Sequence, residues 1–411
     1  MQSMKVLRVA AVFLAVAMLR CGKARGAEAD PPSAATSVSP GDTLAYVGTY
    51  TGRKSKGIYL FKLQTENLDA TQNVKLAPLG LAAEVKSPSF LEIDPRRRLL
   101  FAVTESNRFE GRPTGAVSAF SIDPATGKLT LLNQHSSMGS GPCHLVLDKT
   151  GRNILVANYG SGSVAVLPVG VDGRLGEATD FVQHTGSSVH PDRQRGPHAH
   201  CVTLDPANRF VFVCDLGLDK VLCYRFDAEK GKLTPNEPAF AAVKAGAGPR
   251  HMVFRPDGRF AYVINELNST ITAFAYDPDK GVMSEVQTIS TLPEDFDGAN
   301  TTAEIDIHPS GKYLYASNRG HNSIVLFEVD RNDGTLRYVE DQSTSGRTPR
   351  HFGLDAEGDY LAIANQDTDT LLFCRIDGGN GRLKPSGVTT AAPTPVCVKF
   401  LPPARAFPTT N

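Results

Sequence analysis

Short apolar runs, each closed by Gly, Pro or Asp, fill the chain from residue 44 to residue 400. Residues 252–254 and 260–265 form two such runs, joined by the turn Pro256-Asp-Gly-Arg259. Runs this short, rich in Val, Ile, Tyr and Phe and bounded by turn residues, predict the two strands of a hairpin rather than a helix. The pattern recurs. A first strand with its lead-in is read at 87–95, 141–148, 196–206, 248–256, 302–309, 348–355 and 394–400. A second strand is read at 44–48, 100–103, 154–157, 210–213, 261–264, 314–317 and 361–364. Third strands follow, as at 117–120 and 324–327, and fourth strands follow turns such as Thr126-Gly-Lys-Leu129. Four strands repeating every 50 residues or so describe the blades of a β-propeller. The expectation is an all-β, seven-bladed propeller of four-stranded antiparallel blades spanning 42–403. The pattern opens on a second strand and ends on a first strand. Both termini should therefore close the last blade and hide its edges.

Composition narrows this picture. Lys plus Arg equals Asp plus Glu at 43 each, so no global field points to nucleic acid. There is no Trp, which excludes the Trp-Asp repeat signature. Residues 1–29 differ from the rest. Lys5 and Arg8 precede an apolar run at 9–19, and Ala24, Gly26 and Ala27 follow it. That is the layout of a secretory signal peptide, too short for a membrane span of about 20 residues. Arg20 before Cys21 fits a lipoprotein signal poorly. The expectation is an exported protein, periplasmic or secreted, or a cytoplasmic one if the segment is retained. Residues 30–41 read as a flexible leader and 404–411 as a tail. The other six cysteines form no C-x-x-C pair and read as buried hydrophobes. Cys214 and Cys223 flank one hairpin loop, where a cross-strand disulfide is conceivable in an oxidising compartment.

In a hairpin, the start of one strand and the end of the next share an edge. First-strand starts and second-strand ends should thus gather at one rim of the channel. That rim offers Glu105, His144 with Asn158, His198 and His200 with Asp215, Arg250 and His251 with Glu266, Glu304 with Arg319 and His321, and Arg350 and His351 with Asn365. Strand alternation sorts the inner positions into two sets: His200, Arg250 and Arg350, expected to face the channel, and His144, His251, Glu304 and His351, expected to pack between blades. Arg250 with Glu266 stands where other blades carry Cys143 with Tyr159 or Ala303 with Asn318. His135, His184 and His308 read as turn or surface residues. His198 and His200 lie in a His-x-His arrangement with no obvious third ligand, so no metal or other cofactor is expected.

The stretch Gly248-Pro-Arg-His251 through Asn265-Glu-Leu-Asn-Ser269, with Tyr46-Val-Gly-Thr-Tyr-Thr51, Pro197-His-Ala-His200, Ala303-Glu-Ile-Asp-Ile-His308 and Leu314-Tyr-Ala-Ser-Asn-Arg-Gly320, resembles the seven-bladed propeller lactonases. These include 6-phosphogluconolactonases and carboxymuconate lactonising enzymes, and the resemblance spans nearly all of 44–400. It implies a catalytic group of His200, Arg250, Glu266 and Arg319. Glu266 or His200 would be the base, Arg250 would hold the oxyanion, and Arg319 and Arg350 would clamp an anionic lactone. His144, His198, His251, Glu304 and His351 complete the expected substrate-binding set. A lactonising cycloisomerase and a non-enzymatic propeller that binds a protein or sugar are the alternatives. The protein is expected to be a monomer.

Overall fold

The computed structural model describes residues 38–39, 41–68 and 71–403. The expected signal segment, most of the leader and the tail lie outside them. Seven sheets of four antiparallel strands make up the described chain. Its helical content is one 3₁₀ turn, Gln366–Thr368. Numbering blades by their innermost strands, these are Leu91–Asp94, Pro142–Leu147, Ala199–Leu204, Pro249–Phe254, Thr301–Ile307, Pro349–Leu354 and Pro395–Leu401. Each innermost strand packs on the next, and the seventh packs on the first. The seventh blade is closed as the register required: Pro395–Leu401 pairs with Leu44–Thr49, which continues into Gly57–Leu68.

Neighbouring blades cover both faces of each second strand, which is why these strands read as unbroken apolar runs. In Phe260–Asn265, Phe260, Tyr262 and Ile264 pack on Leu314 and Phe327 of blade five. Ala261 and Val263 pack on Phe212 and Val221 of blade three. Without tryptophan, a tyrosine hydroxyl stitches several of these interfaces. The hydroxyls of Tyr46, Tyr262 and Tyr315 each donate to the carbonyl of a turn glycine in the next blade, Gly127, Gly334 and Gly381, at 2.8, 3.0 and 2.7 Å. At Gly334 φ is +72° and a Cβ would run into the Phe260 ring, so the turn is open only to glycine.

One departure from regular pairing positions the site. Where the innermost strand meets the second strand, the register slips in six of the seven blades. The slip lies between Pro142 and His144, Ala199 and Cys201, Pro249 and His251, Thr302 and Ile305, Pro349 and His351, and opposite Gly48 and Thr49. A β-bulge of this kind sets two consecutive residues against one and re-aims their side chains.

Candidate active site at the channel mouth

The bulges correct the expectation from strict alternation. Arg250 and His251 both line the axial cleft, as do Arg350 and His351. The inner residues therefore form two stacked tiers rather than one channel-facing set and one packing set. The upper tier contains Cys143, His200, Arg250 and Arg350, and the lower contains Phe90, His144, His251, Glu304 and His351. Above both lies the rim, formed by the residue that ends or follows each second strand. Glu266 donates its backbone N–H to the Gly248 carbonyl (2.7 Å), Glu105 to Ser87 (3.0 Å), Tyr159 to Gly141 (2.9 Å) and Tyr50 to Thr394 (3.2 Å). The register puts Arg319, not Asn318, at this position in blade five. Asn318 lies one residue earlier and is buried, its Nδ2 donating to the Thr291 carbonyl at 2.9 Å. Asn158 and Asn365 do the same to Ser137 and Thr344, both at 2.9 Å. These amides are buried stitches, not rim groups.

Glu266 is the hub of the rim. Arg250 Nε donates to its Oε2 at 3.1 Å, Arg319 Nη2 lies 3.0 Å from the same oxygen, and Arg193 Nη2 donates to Oε1 at 2.7 Å. Burial alone would raise the carboxyl pKa; Arg319, Arg250 and Arg193 outweigh it and hold it at about 2. Sequence reasoning missed Arg193. It comes from the connection between blades two and three, where residues 184–198 break the repeat just before Pro197-His-Ala-His200. Its guanidinium also donates to the Tyr159 hydroxyl at 3.1 Å. Arg250 is fixed further by Nη1 donating to the Ala303 carbonyl (2.6 Å) and to His251 Nε2 (3.2 Å).

The lower tier plugs the channel. Arginine can only donate, so His251 Nε2 is an acceptor and its proton sits on Nδ1, which donates to Glu304 Oε1 at 2.9 Å. Val398 N–H donates to His351 Nδ1 at 3.3 Å, so the Nε2 proton of His351 faces Glu304 Oε2 at 3.3 Å. Phe90 lies on His144, ring centroids 4.0 Å apart, and His144 meets His251 edge-on at 5.1 Å. Below the plug is a separate cavity of about 270 Å³ lined in part by Glu92, Asp306 and Lys399.

Burial pushes the lower-tier imidazoles down and keeps them neutral; Arg250 depresses His251 further, and His351 falls to about 3 even though Glu304 opposes the shift. A base with a depressed folded pKa contributes stability that is complete above its unfolded value, about 6.5, and is lost as pH falls towards the folded one. Wild-type stability should therefore drop between pH 6.5 and 3. His351→Gln should flatten that slope in urea unfolding measured across the window. An unchanged slope would show that His351 does not titrate with folding.

Cys143, Ser89, Glu105, Tyr50, His200, Arg250 and Arg350 surround the cleft above the plug. His200 is driven well below its usual pKa by burial and by Arg250, His251 and Arg350, and its Nδ1 lies 3.8 Å from Cys143 Sγ. Arg350 Cζ sits 5.3 Å from the Tyr50 ring centroid. Among the described residues, its guanidinium has no hydrogen-bond or ion-pair partner. The free space these residues enclose with the plug is about 10 Å³, close to the room one water needs. A larger ligand must sit above it, at the open rim.

Comparison with known proteins decides the family. The model of the seven-bladed β-propeller lactonases matches residues 44–400. The chain belongs to this family. The 6-phosphogluconolactonase of Bacillus subtilis is 37% identical over 358 residues, covering 87% of this chain and 98% of its own. That of Formosa agariphila is 32% identical, covering 82% of this chain and 94% of its own. The solved structure of a periplasmic gluconolactonase from Pseudomonas aeruginosa aligns with a TM-score of 0.81 at 34% identity, over 88% of this chain and 99% of that one.

One further expectation is corrected in this lactonase. His184 is not a surface residue: it is buried, its Nδ1 2.7 Å from Asp215 Oδ2 and its Nε2 3.1 Å from the Tyr224 hydroxyl. Cys214 and Cys223 do not pair: opposite them stand Val221 and Phe212, and both thiols are free. His198 Nδ1 donates to the Tyr159 carbonyl at 2.9 Å and its ring stacks on Tyr159, which separates its role from that of His200. Among the described residues, no group of three or more His, Cys, Asp or Glu side chains is arranged to hold a metal. No described helix is long and apolar enough to cross a membrane.

Proposed function

We propose that this lactonase hydrolyses the lactone of a sugar acid, with 6-phosphogluconolactone or its unphosphorylated counterpart as substrate. One observation carries the reading. Arg250 is pinned by Glu266, Ala303 and His251, beside a neutral His200 and an Arg350 with no partner among the described residues, around space for one water. Water attacks the lactone carbonyl while His200 takes its proton. The oxyanion forms between the guanidiniums of Arg250 and Arg350, which are preorganised for developing negative charge. The ring C–O bond then breaks, and His200 returns the proton to the departing oxygen. The open hydroxy acid loses its own proton to solvent.

Glu266 is not the base in this scheme. Both of its oxygens are engaged by arginines and, unlike His200, it does not line the cleft where the water would sit, which also counts against the cycloisomerase reading. Its task is to hold Arg250 and Arg319. We also propose export, from the pattern of residues 1–29 and the periplasmic relative. The test is a pH-stat assay on 6-phosphogluconolactone and glucono-δ-lactone. Rates above spontaneous hydrolysis are expected on at least one, and no acceleration on either overturns the reading.

A further inference from the structure

We propose that Glu105 recognises the hydroxyl groups of a sugar lactone, gripping a vicinal diol between its carboxylate and the guanidinium of Arg350. This rests on the lactone-hydrolase reading and names what that site selects. Glu105 and Glu266 occupy the same rim position in blades one and four, yet their surroundings are opposite. Both oxygens of Glu266 are taken by arginines. Glu105 meets only hydroxyls. The Tyr50 hydroxyl is shared between its oxygens at 3.1 and 3.3 Å, and Ser89 Oγ donates to Oε2. No cation among the described residues forms an ion pair with it.

A carboxylate has about four acceptor sites; the protons of Tyr50 and Ser89 fill two. The remainder are available where Glu105 lines the cleft. Glu304, the other carboxylate there, sits in the lower tier, its Oε1 accepting from His251 and its Oε2 3.3 Å from His351 Nε2 without a hydrogen bond. Arg350 offers the complementary half, a donor fork with no partner among the described residues, lying over the Tyr50 ring whose hydroxyl holds Glu105. A hydroxyl group both donates and accepts. Two neighbouring hydroxyls can therefore each donate to the carboxylate and accept from the guanidinium. A lactone without hydroxyls would leave both groups desolvated and unpaired, the arrangement by which polar sites reject stripped analogues. The small free space among these residues puts a bound sugar ring at the open rim, the level of Glu105.

The experiment pairs binding with turnover. Calorimetry would follow D-glucono-1,5-lactam, which is not hydrolysed as the lactone is, and δ-valerolactam, which has no hydroxyls, on wild type, Glu105→Gln and Glu105→Asp. Wild type should prefer the sugar lactam. In Glu105→Gln that preference should fall by about 10- to 100-fold, the loss of hydrogen bonds to a charged group, with partial recovery in Glu105→Asp. The kcat/KM ratio of glucono-δ-lactone to δ-valerolactone should fall likewise, through KM. A ratio taken within one variant is unaffected by a partly unfolded fraction. A preference that survives Glu105→Gln, or a wild type with none, overturns the proposal. Glu105-dependent lactam binding without hydrolysis of either lactone would uphold it while removing the hydrolase reading.

Discussion

Replacing Arg250 by Lys should lower kcat on the lactone substrate by about 10²- to 10³-fold, the usual cost of losing one oxyanion donor. The wild-type guanidinium spends Nε on Glu266 and Nη1 on Ala303 and His251. Only a planar fork can meet those partners from one side and still present a donor to the cleft. A lysine ammonium is a single point charge; it can satisfy Glu266 or reach the substrate, not both in fixed geometry. Because the positive charge is kept, the fold should survive, and thermal unfolding of the variant should follow wild type closely. The burden should fall on kcat rather than KM, since losing a contact made only in the transition state lowers both kcat and kcat/KM. Wild-type turnover in Arg250→Lys would remove Arg250 from the chemistry, and a rise confined to KM would make it a substrate clamp.

The blades were legible because their information is local. Short apolar runs, turn glycines and the shift from second strand at Leu44 to first strand near Val396 specify seven closed sheets without any long-range knowledge. The Arg250–Glu266 pair was legible for the same reason, since sixteen positions of hairpin put both at one edge. What escaped was whatever depends on a break in regularity. Alternation divides Arg250 from His251 and Arg350 from His351, but the bulges turn both members of each pair into the channel. Arg193 escaped because it lies on a connection between blades, where no repeat position predicts its reach. Glu105 was visible at the rim, and Ser89 stands sixteen residues before it in the same hairpin, but its other partner, Tyr50, comes from blade seven, and adjacency around a ring is not written in spacing. The buried state of His184 likewise depends on Asp215 and Tyr224 of the next blade.

Glu266→Gln should destabilise the protein at neutral pH by on the order of 3 kcal/mol, comparable to breaking a buried ion pair from one side. Arg193, Arg250 and Arg319 would then face one another without their shared anion, and two of them are largely buried. The pH dependence separates this from a general packing loss. A carboxylate whose folded pKa is depressed contributes stability that is complete above its unfolded value, near 4.3, and is lost as pH falls through the folded value of about 2. The wild-type advantage over Glu266→Gln should therefore hold constant from pH 8 to about 5, then shrink towards pH 2. Urea unfolding of both proteins at matched ionic strength measures the gap directly. A gap that stays the same down to pH 2 would mean the variant fails through shape rather than charge. A gap absent at pH 7 would mean the three arginines are stabilised by something other than Glu266. In either case the hub would lose its electrostatic explanation. Salt supplies an independent check. The buried charges are weakly screened, so raising ionic strength should leave most of the neutral-pH gap in place.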